Sequence, residues 1–132
     1  MKYMLDTNII AYAKNNRPEV VLEKFRQHDI FDMCISAITL AELEYGIANS
    51  SRPLQNRIGL MAFLNGIEVL DFDAEAAQEY GLIRAQLKQH GTLIGANDLL
   101  IAAHAKSKGL TLITNNTKEF ERVEGLDIEN WT

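Results

Sequence analysis

The chain has 132 residues, 47% of them hydrophobic and 23% charged, which is typical of one globular domain whose core needs neither disulfides nor structural metal. This composition excludes a disordered protein, and no apolar run approaches the roughly 20 residues that cross a bilayer, so we expect a cytoplasmic protein without membrane contact. The net charge of −5 argues against a protein that binds nucleic acid mainly by neutralising many phosphates. Acidic residues that hold a divalent cation would nevertheless present positive charge locally.

The first predicted element is a buried strand, an apolar run over residues 2–6 that ends at Asp6 and is followed by the turn-forming residues Thr7 and Asn8. Sheets of α/β proteins bind ligands at the carboxyl ends of their strands, so Asp6 lies where chemistry is usually done. Alternatively, one of these three polar residues simply caps the next helix. A helix is predicted further along, at residues 18–25, with a proline in its first turn.

The middle of the chain continues the alternation of strands and helices. Residues 31–36 form the second predicted strand, in which Cys34 is a small buried core residue of a reducing compartment. Helices are predicted at residues 39–46 and 53–64, and a third strand at residues 67–70.

Two consecutive helices come next. Asp73 caps a long helix over residues 74–89, and Gly91 closes it. The second helix, residues 97–107, is apolar nearly all round and therefore central. We interpret its histidine, His104, as a core residue rather than a metal ligand.

The last elements are a strand at residues 110–114 and a short fifth strand around residues 126–128. Strands that alternate with helices indicate βαβ crossovers. The sequence therefore predicts an α/β fold, a mostly parallel sheet flanked by helices. No repeat or linker divides the chain, so residues 1–132 are expected to form a single domain.

Four acids lie at the ends of predicted elements rather than on solvated faces. Asp6 ends the first strand, and Glu42 lies in the first turns of the helix that follows the second. Asp98 opens the helix before the fourth strand, and Glu119 follows that strand by five residues. Because the carboxyl ends of parallel strands share one edge, we expect these acids to meet there. Asp98 does so only if the helix at residues 74–89 first returns the chain to that edge.

Each of these acids also has a purely structural interpretation. Glu42 and Thr39 have the spacing of a capping box, in which the glutamate bonds to the amide of Thr39. Asp98 could favour the positive end of its helix, and Glu119 could be a solvated charge beside a lysine. Viewed singly, the residues leave these alternatives open.

Four convergent carboxylates would repel one another, so such a site requires a hard cation or a basic partner. Oxygen ligands with open water positions suit Mg²⁺ or Mn²⁺ rather than zinc. A divalent ion there would activate water towards a phosphodiester and stabilise the leaving oxygen. Neutral polar residues would support the site: Thr7, Asn8, Thr114, Asn115 and Asn116.

Four segments, in chain order, resemble the PIN-domain ribonucleases and, more closely, the VapC toxins of bacterial toxin–antitoxin pairs. They are residues 4–8 (MLDTN), 35–46 (ISAITLAELEYG), 94–105 (IGANDLLIAAHA) and 112–120 (LITNNTKEF). The resemblance implies a five-stranded PIN-like fold over nearly the whole chain and Mg²⁺-dependent endoribonuclease activity, with Mn²⁺ as the other candidate ion.

The resemblance also implies roles for individual residues. Asp6, Glu42 and Asp98 match the three core acids of the family, with Asp6 and Asp98 as the metal ligands. Many relatives carry aspartate where this chain has Asn116. Either Glu119 therefore replaces the usual fourth acid, or a second metal binds weakly.

The partners implied by the resemblance are a VapB-like antitoxin, whose C-terminal segment blocks the acidic groove, and an RNA substrate. The family forms homodimers and larger toxin–antitoxin assemblies, and tRNA cut in the anticodon region is one candidate substrate. An acidic toxin suits a basic antitoxin.

Two other functions remain as alternatives. Asn116 favours a catalytically silent module whose acidic cleft only captures a basic peptide such as the antitoxin. A phosphatase with Asp6 as nucleophile is disfavoured, because Asn8 stands where a second aspartate would be expected.

Overall fold

The structure, a computed structural model, describes residues 1–11 and 19–132. The described residues form five strands: β1 (Tyr3–Leu5), β2 (Met33–Ser36), β3 (Glu68–Leu70), β4 (Thr111–Ile113) and β5 (Ile128–Glu129). All pair in parallel in the order β3-β2-β1-β4-β5. The predicted parallel five-stranded sheet is therefore confirmed.

Helices flank this sheet. They are α1 (Thr7–Ala11), α2 (Glu19–Arg26), α3 (Ala37–Ala48), α4 (Pro53–Phe63), α5 (Ala74–Gln89), α6 (Ala96–Ser107) and α7 (Thr117–Phe120). A short 3₁₀ helix, Ile30–Asp32, precedes β2. The first two residues of the predicted second strand, Phe31 and Asp32, therefore belong to this helix and not to the strand. Within the described residues, none of the helices is long and apolar enough to cross a bilayer.

The long helix α5 has the predicted bounds, and Asp73 caps it by accepting a hydrogen bond of 3.0 Å from the Ala76 amide. The predicted start of a helix at Pro18 lies outside the described residues. Two helices, α1 and α7, were not predicted. They have only five and four residues, too few for a helical period to be visible in the sequence.

The central strands are buried on both faces, which explains their continuous apolar sequence. Successive residues of β1, Met4 and Leu5, are fully buried in two different core clusters, one on each side of the sheet. Cys34 of β2 is buried with Met4, as predicted. The sheet thus holds the carboxyl ends of β1, β2 and β4 at fixed places.

A buried contact between two polar side chains fixes the start of α3. The hydroxyl of Ser36 accepts a hydrogen bond of 3.0 Å from the Ile38 amide and lies 2.7 Å from Nδ1 of His104. Burial lowers the pKa of His104, so the ring is neutral at pH 7 and forms an uncharged hydrogen bond with the Ser36 hydroxyl. His104 is therefore a core residue, as the sequence indicated.

The capping-box interpretation of Glu42 is wrong. The N-cap of α3 is Ser36, so Thr39 lies inside the first turn and cannot cap the helix. Glu42 is one turn further on and points its carboxylate to other partners.

Ser36→Ala is expected to lower the free energy of unfolding by about 1–3 kcal/mol, because it removes the helix cap and leaves the buried His104 ring without a partner. Urea denaturation would measure this. The control is Ser50→Ala at the other end of α3, where the Ile47 carbonyl that loses the hydroxyl still accepts a hydrogen bond from the backbone amide of residue 50, and the expected change is within about 0.5 kcal/mol. Equal effects of the two substitutions would contradict the structural role of Ser36.

Candidate active site

Asp6 follows the central strand directly and is buried, with 1% of its surface exposed. Both carboxylate oxygens accept hydrogen bonds: Oδ1 from the Thr7 amide at 2.8 Å and Oδ2 from the Thr114 hydroxyl at 2.8 Å. Burial raises the pKa of Asp6, and these two hydrogen bonds partly offset that rise. The carboxylate is thus held in one orientation at the sheet edge.

Thr114 connects Asp6 to the neighbouring strand. It follows β4, and its hydroxyl oxygen accepts a hydrogen bond of 2.9 Å from the Asn116 amide. Because that oxygen already has a donor, its own hydrogen is directed at Asp6. A buried hydroxyl group that takes part in two hydrogen bonds has a fixed direction, so Thr114 positions the Asp6 carboxylate.

Glu42 reaches the same edge from α3. The Thr7 hydroxyl donates to Oε1 of Glu42 at 2.6 Å, and Nδ2 of Asn97 lies 3.4 Å from Oε2. Residues from the starts of α1 and α6 therefore hold the Glu42 side chain. The contact from Asn97 was not foreseen; its only sequence signal was its place beside Asp98 at the start of a helix.

Asp98, in the first turn of α6, is brought to the other acids. The pKa of Asp98 is raised to about 8, because burial, a hydrogen bond with Glu119 and the charges of Asp6, Glu119 and Glu42 all oppose its ionisation. The four carboxyl groups therefore lie close enough to interact.

Glu119, in α7, accepts the hydrogen bond that the protonated Asp98 carboxyl group donates. The hydrogen bond from Asp98 lowers the pKa of Glu119, and Nδ2 of Asn116 donates to its Oε2 at 2.9 Å. At neutral pH the two acids share one proton, a common outcome when carboxyl groups crowd together. Asn116 thus has two contacts at the site: its side-chain amide orients Glu119, and its backbone amide orients the Thr114 hydroxyl.

Asn8 and Asn115 were the other predicted supporting residues. Asn8 is exposed on α1, and its backbone amide favours the ionised form of Asp6. Within the described residues, no hydrogen bond joins the side chain of Asn8 or Asn115 to the four acids. A role for these two side chains stays a prediction.

The donor set fits a hydrated hard cation. In the described part of the chain, no three acidic, histidine or cysteine side chains form a ready-made cage for an ion. Mg²⁺ does not need one, since it keeps several waters and takes one or two carboxylates. Asp6 and Asp98 could supply these two oxygen ligands, because the two carboxyl groups interact at this edge of the sheet.

The chain is similar to one protein family, to curated ribonucleases and to solved structures over nearly its whole length. The PIN-domain family model matches residues 3–126. The chain is 47% identical to ribonuclease VapC2 of Haemophilus influenzae, over 99% of this chain and 98% of that protein. It is also 47% identical to the tRNA(fMet)-specific endonuclease VapC of Shigella flexneri, over 100% and 99%. A crystal structure of DNA-bound VapBC from Salmonella typhimurium has a TM-score of 0.95 at 45% identity, covering 100% of this chain and 99% of that chain.

Proposed function

This chain belongs to the PIN-domain family, and on that basis we propose that it is the toxin of a VapBC-type pair, an endoribonuclease that hydrolyses RNA phosphodiesters with Mg²⁺. The observation that carries the proposal is the convergence of four carboxyl groups at one sheet edge, where Thr7 donates hydrogen bonds to both Asp6 and Glu42 and where Asp98 contacts Glu119. PIN-domain ribonucleases depend on divalent metals. The name of the Shigella relative, a tRNA(fMet)-specific endonuclease, supports tRNA as the substrate, and we propose the anticodon region as the place of the cut.

Each acid has a distinct proposed role. When bound, Mg²⁺ (or Mn²⁺) polarises the scissile phosphate and lowers the pKa of water. Asp6, already oriented by Thr7 and Thr114, and Asp98 are its ligands, and Asp98 must lose its proton to bind the ion. Glu42, fixed by the Thr7 hydroxyl, accepts a proton from the attacking water.

Glu119 serves as the fourth acid in place of the aspartate that many relatives carry at the position of Asn116. The support is the 2.9 Å hydrogen bond from the Asn116 amide group to Glu119, together with the proton that Glu119 shares with Asp98. An aspartate at position 116 would repel Glu119. An asparagine there holds it instead.

The proposed partners are a VapB-like antitoxin and a second copy of the chain, within a larger toxin–antitoxin assembly. The Salmonella relative is seen as a DNA-bound VapBC complex. The net charge of −5 and the acidic site suit an antitoxin segment that carries basic residues. Residues 1–132 form one domain in this proposal.

The test is RNA cleavage by the purified chain with Mg²⁺ and with excess EDTA. We expect cleavage that EDTA abolishes and added Mg²⁺ restores. Glu42→Gln is expected to slow cleavage about 100-fold or more, because it removes the proton acceptor. The matched control is Glu44→Gln, two residues further along α3, where the carboxylate pairs with Arg57 on the surface.

A silent binding module would give the opposite result. It would bind a basic antitoxin segment tightly, yet the rigorously purified chain would cleave no RNA with either ion. Cleavage that survives both EDTA and Glu42→Gln would equally contradict the proposal, since the activity would then come from a contaminant.

A further inference from the structure

A groove of about 600 Å³ opens between α3 and α6, next to the acids. Its wall on α3 carries four residues at helical spacing, so they lie on one face: Ile38, Ala41, Glu42 and Tyr45. Leu100 of α6 lies opposite, and Thr7 and Asn97 close the groove where Glu42 is held. The groove is thus apolar along its length and polar at the end that meets the catalytic site.

Tyr45 stands at the rim of this groove with 70% of its surface exposed. A single exposed aromatic residue is normal for a protein surface. This one differs because it shares a groove with Glu42, one turn away on the same helix. An aromatic face, apolar neighbours and an amide side chain such as that of Asn97 are the groups that recognise an unpaired base.

The charges of the groove point to a base rather than a phosphate as the occupant. The described residues that line it include no lysine or arginine, and one of them, Glu42, is acidic. Such a groove cannot neutralise phosphates. Stacking on an aromatic ring contributes about 1–3 kcal/mol per base and does not depend on charge.

We propose that Tyr45 stacks on an unpaired nucleobase of the RNA next to the scissile phosphate, with the Asn97 amide at the edge of that base. This inference rests on the proposed nuclease function. The continuity of the groove with Glu42 supports it, because Glu42, Tyr45 and Asn97 line one groove, within reach of a nucleoside that adjoins a phosphodiester at Glu42. Stacking there lets an acidic protein hold RNA close to its carboxylates.

Binding of a fluorescein-labelled synthetic anticodon stem–loop RNA tests this inference. The loop is used intact and abasic at one position at a time, with Ca²⁺ in place of Mg²⁺. Tyr45→Ala is expected to weaken binding about 5- to 100-fold, and Tyr45→Phe, which keeps the ring, less than about two-fold. The control is Phe31→Ala, an aromatic residue of similar exposure (75%) that precedes β2 at the opposite edge of the sheet; it should change nothing.

The abasic loops give the decisive comparison. One of them should weaken binding to the wild type as much as Tyr45→Ala does, and should weaken binding to Tyr45→Ala no further. Unchanged binding by Tyr45→Ala, or a full additional loss with every abasic loop, would overturn the inference. A change in the oligomeric state of Tyr45→Ala in solution would also overturn it, because the groove would then belong to an interface between copies of the chain.

Cleavage of the same intact stem–loop in Mg²⁺ separates this inference from the proposed function. A wild type that binds through Tyr45 but does not cleave would contradict the nuclease proposal alone. A wild type that cleaves in a metal-dependent way, with Tyr45→Ala equally active and equally tight in binding, would overturn the stacking role alone.

Discussion

Asp6→Asn is expected to abolish metal-dependent RNA cleavage while leaving the chain folded. The amide has the shape of the carboxyl group, and its oxygen can still accept the hydrogen bond from the Thr7 amide. What it lacks is the charge that binds the cation. Since removing groups that merely support a metal ligand costs about 10- to 100-fold, removing the ligand should cost at least about 100-fold.

The measurement combines cleavage in Mg²⁺ with growth of cells in which the variant is expressed without antitoxin. Both cleavage and toxicity should be lost, and the circular dichroism spectrum should be unchanged. The matched control is Asp127→Asn, an exposed aspartate just before β5; it should keep full activity. Full cleavage by Asp6→Asn would exclude Asp6 as a metal ligand, whatever the fold.

The positions of these acids were predictable from sequence because strand ends are marked by local signals. A short apolar run that stops at Asp6 places a carboxylate at the sheet edge with no knowledge of the rest of the chain. The bounds of α5 were equally clear, since Asp73 is a strong cap and the helix is long. Local chemistry was sufficient wherever the element was long or sharply ended.

Local chemistry failed where tertiary contacts decide. Thr39 and Glu42 have a helix-cap spacing, yet Ser36 caps α3, and its hydroxyl is also hydrogen-bonded to His104, 68 residues away. The contact between Asn97 and Glu42 likewise joins residues 55 positions apart. No local pattern encodes such pairs.

The proton shared by Asp98 and Glu119 belongs to the same class of feature. Sequence reasoning predicted repulsion among the acids, but which acid would hold the proton depends on their burial. Asp98 is half-buried beside three other acids and keeps the proton, whereas Glu119 is more open and has the Asn116 amide group as a donor. Because Asp98 holds the proton when no metal is bound, it is the acid whose charge we expect to change most when a cation binds.

Asp98→Asn is therefore expected to have opposite effects on activity and stability. Cleavage should fall at least about 100-fold, as for the other ligand. Without metal, however, the variant should resist unfolding better than the wild type at pH 8 and above. The folded pKa of Asp98, about 8, exceeds its value in the unfolded chain, so the stability that its protonation contributes is fully present below the unfolded pKa of about 4, falls as pH rises from there, and is lost once pH passes about 8. Asparagine does not ionise and avoids this loss.

The measurement is the thermal unfolding midpoint from pH 5 to 9, in EDTA and in Mg²⁺, with the difference between variant and wild type removing the titration of the groups that do not interact with Asp98. In EDTA the unfolding midpoint of the wild type should drop below that of Asp98→Asn as pH rises. Mg²⁺ should restore the wild type most at the highest pH, because binding requires the ionised carboxylate, and should not raise the variant. Glu119→Gln should move the wild-type decline to lower pH, since it removes the acceptor and a charge that keep Asp98 protonated. Parallel curves for wild type and Asp98→Asn would mean that the four acids do not share a cation site, because a carboxyl group poised to bind one cannot be indifferent to both protons and Mg²⁺.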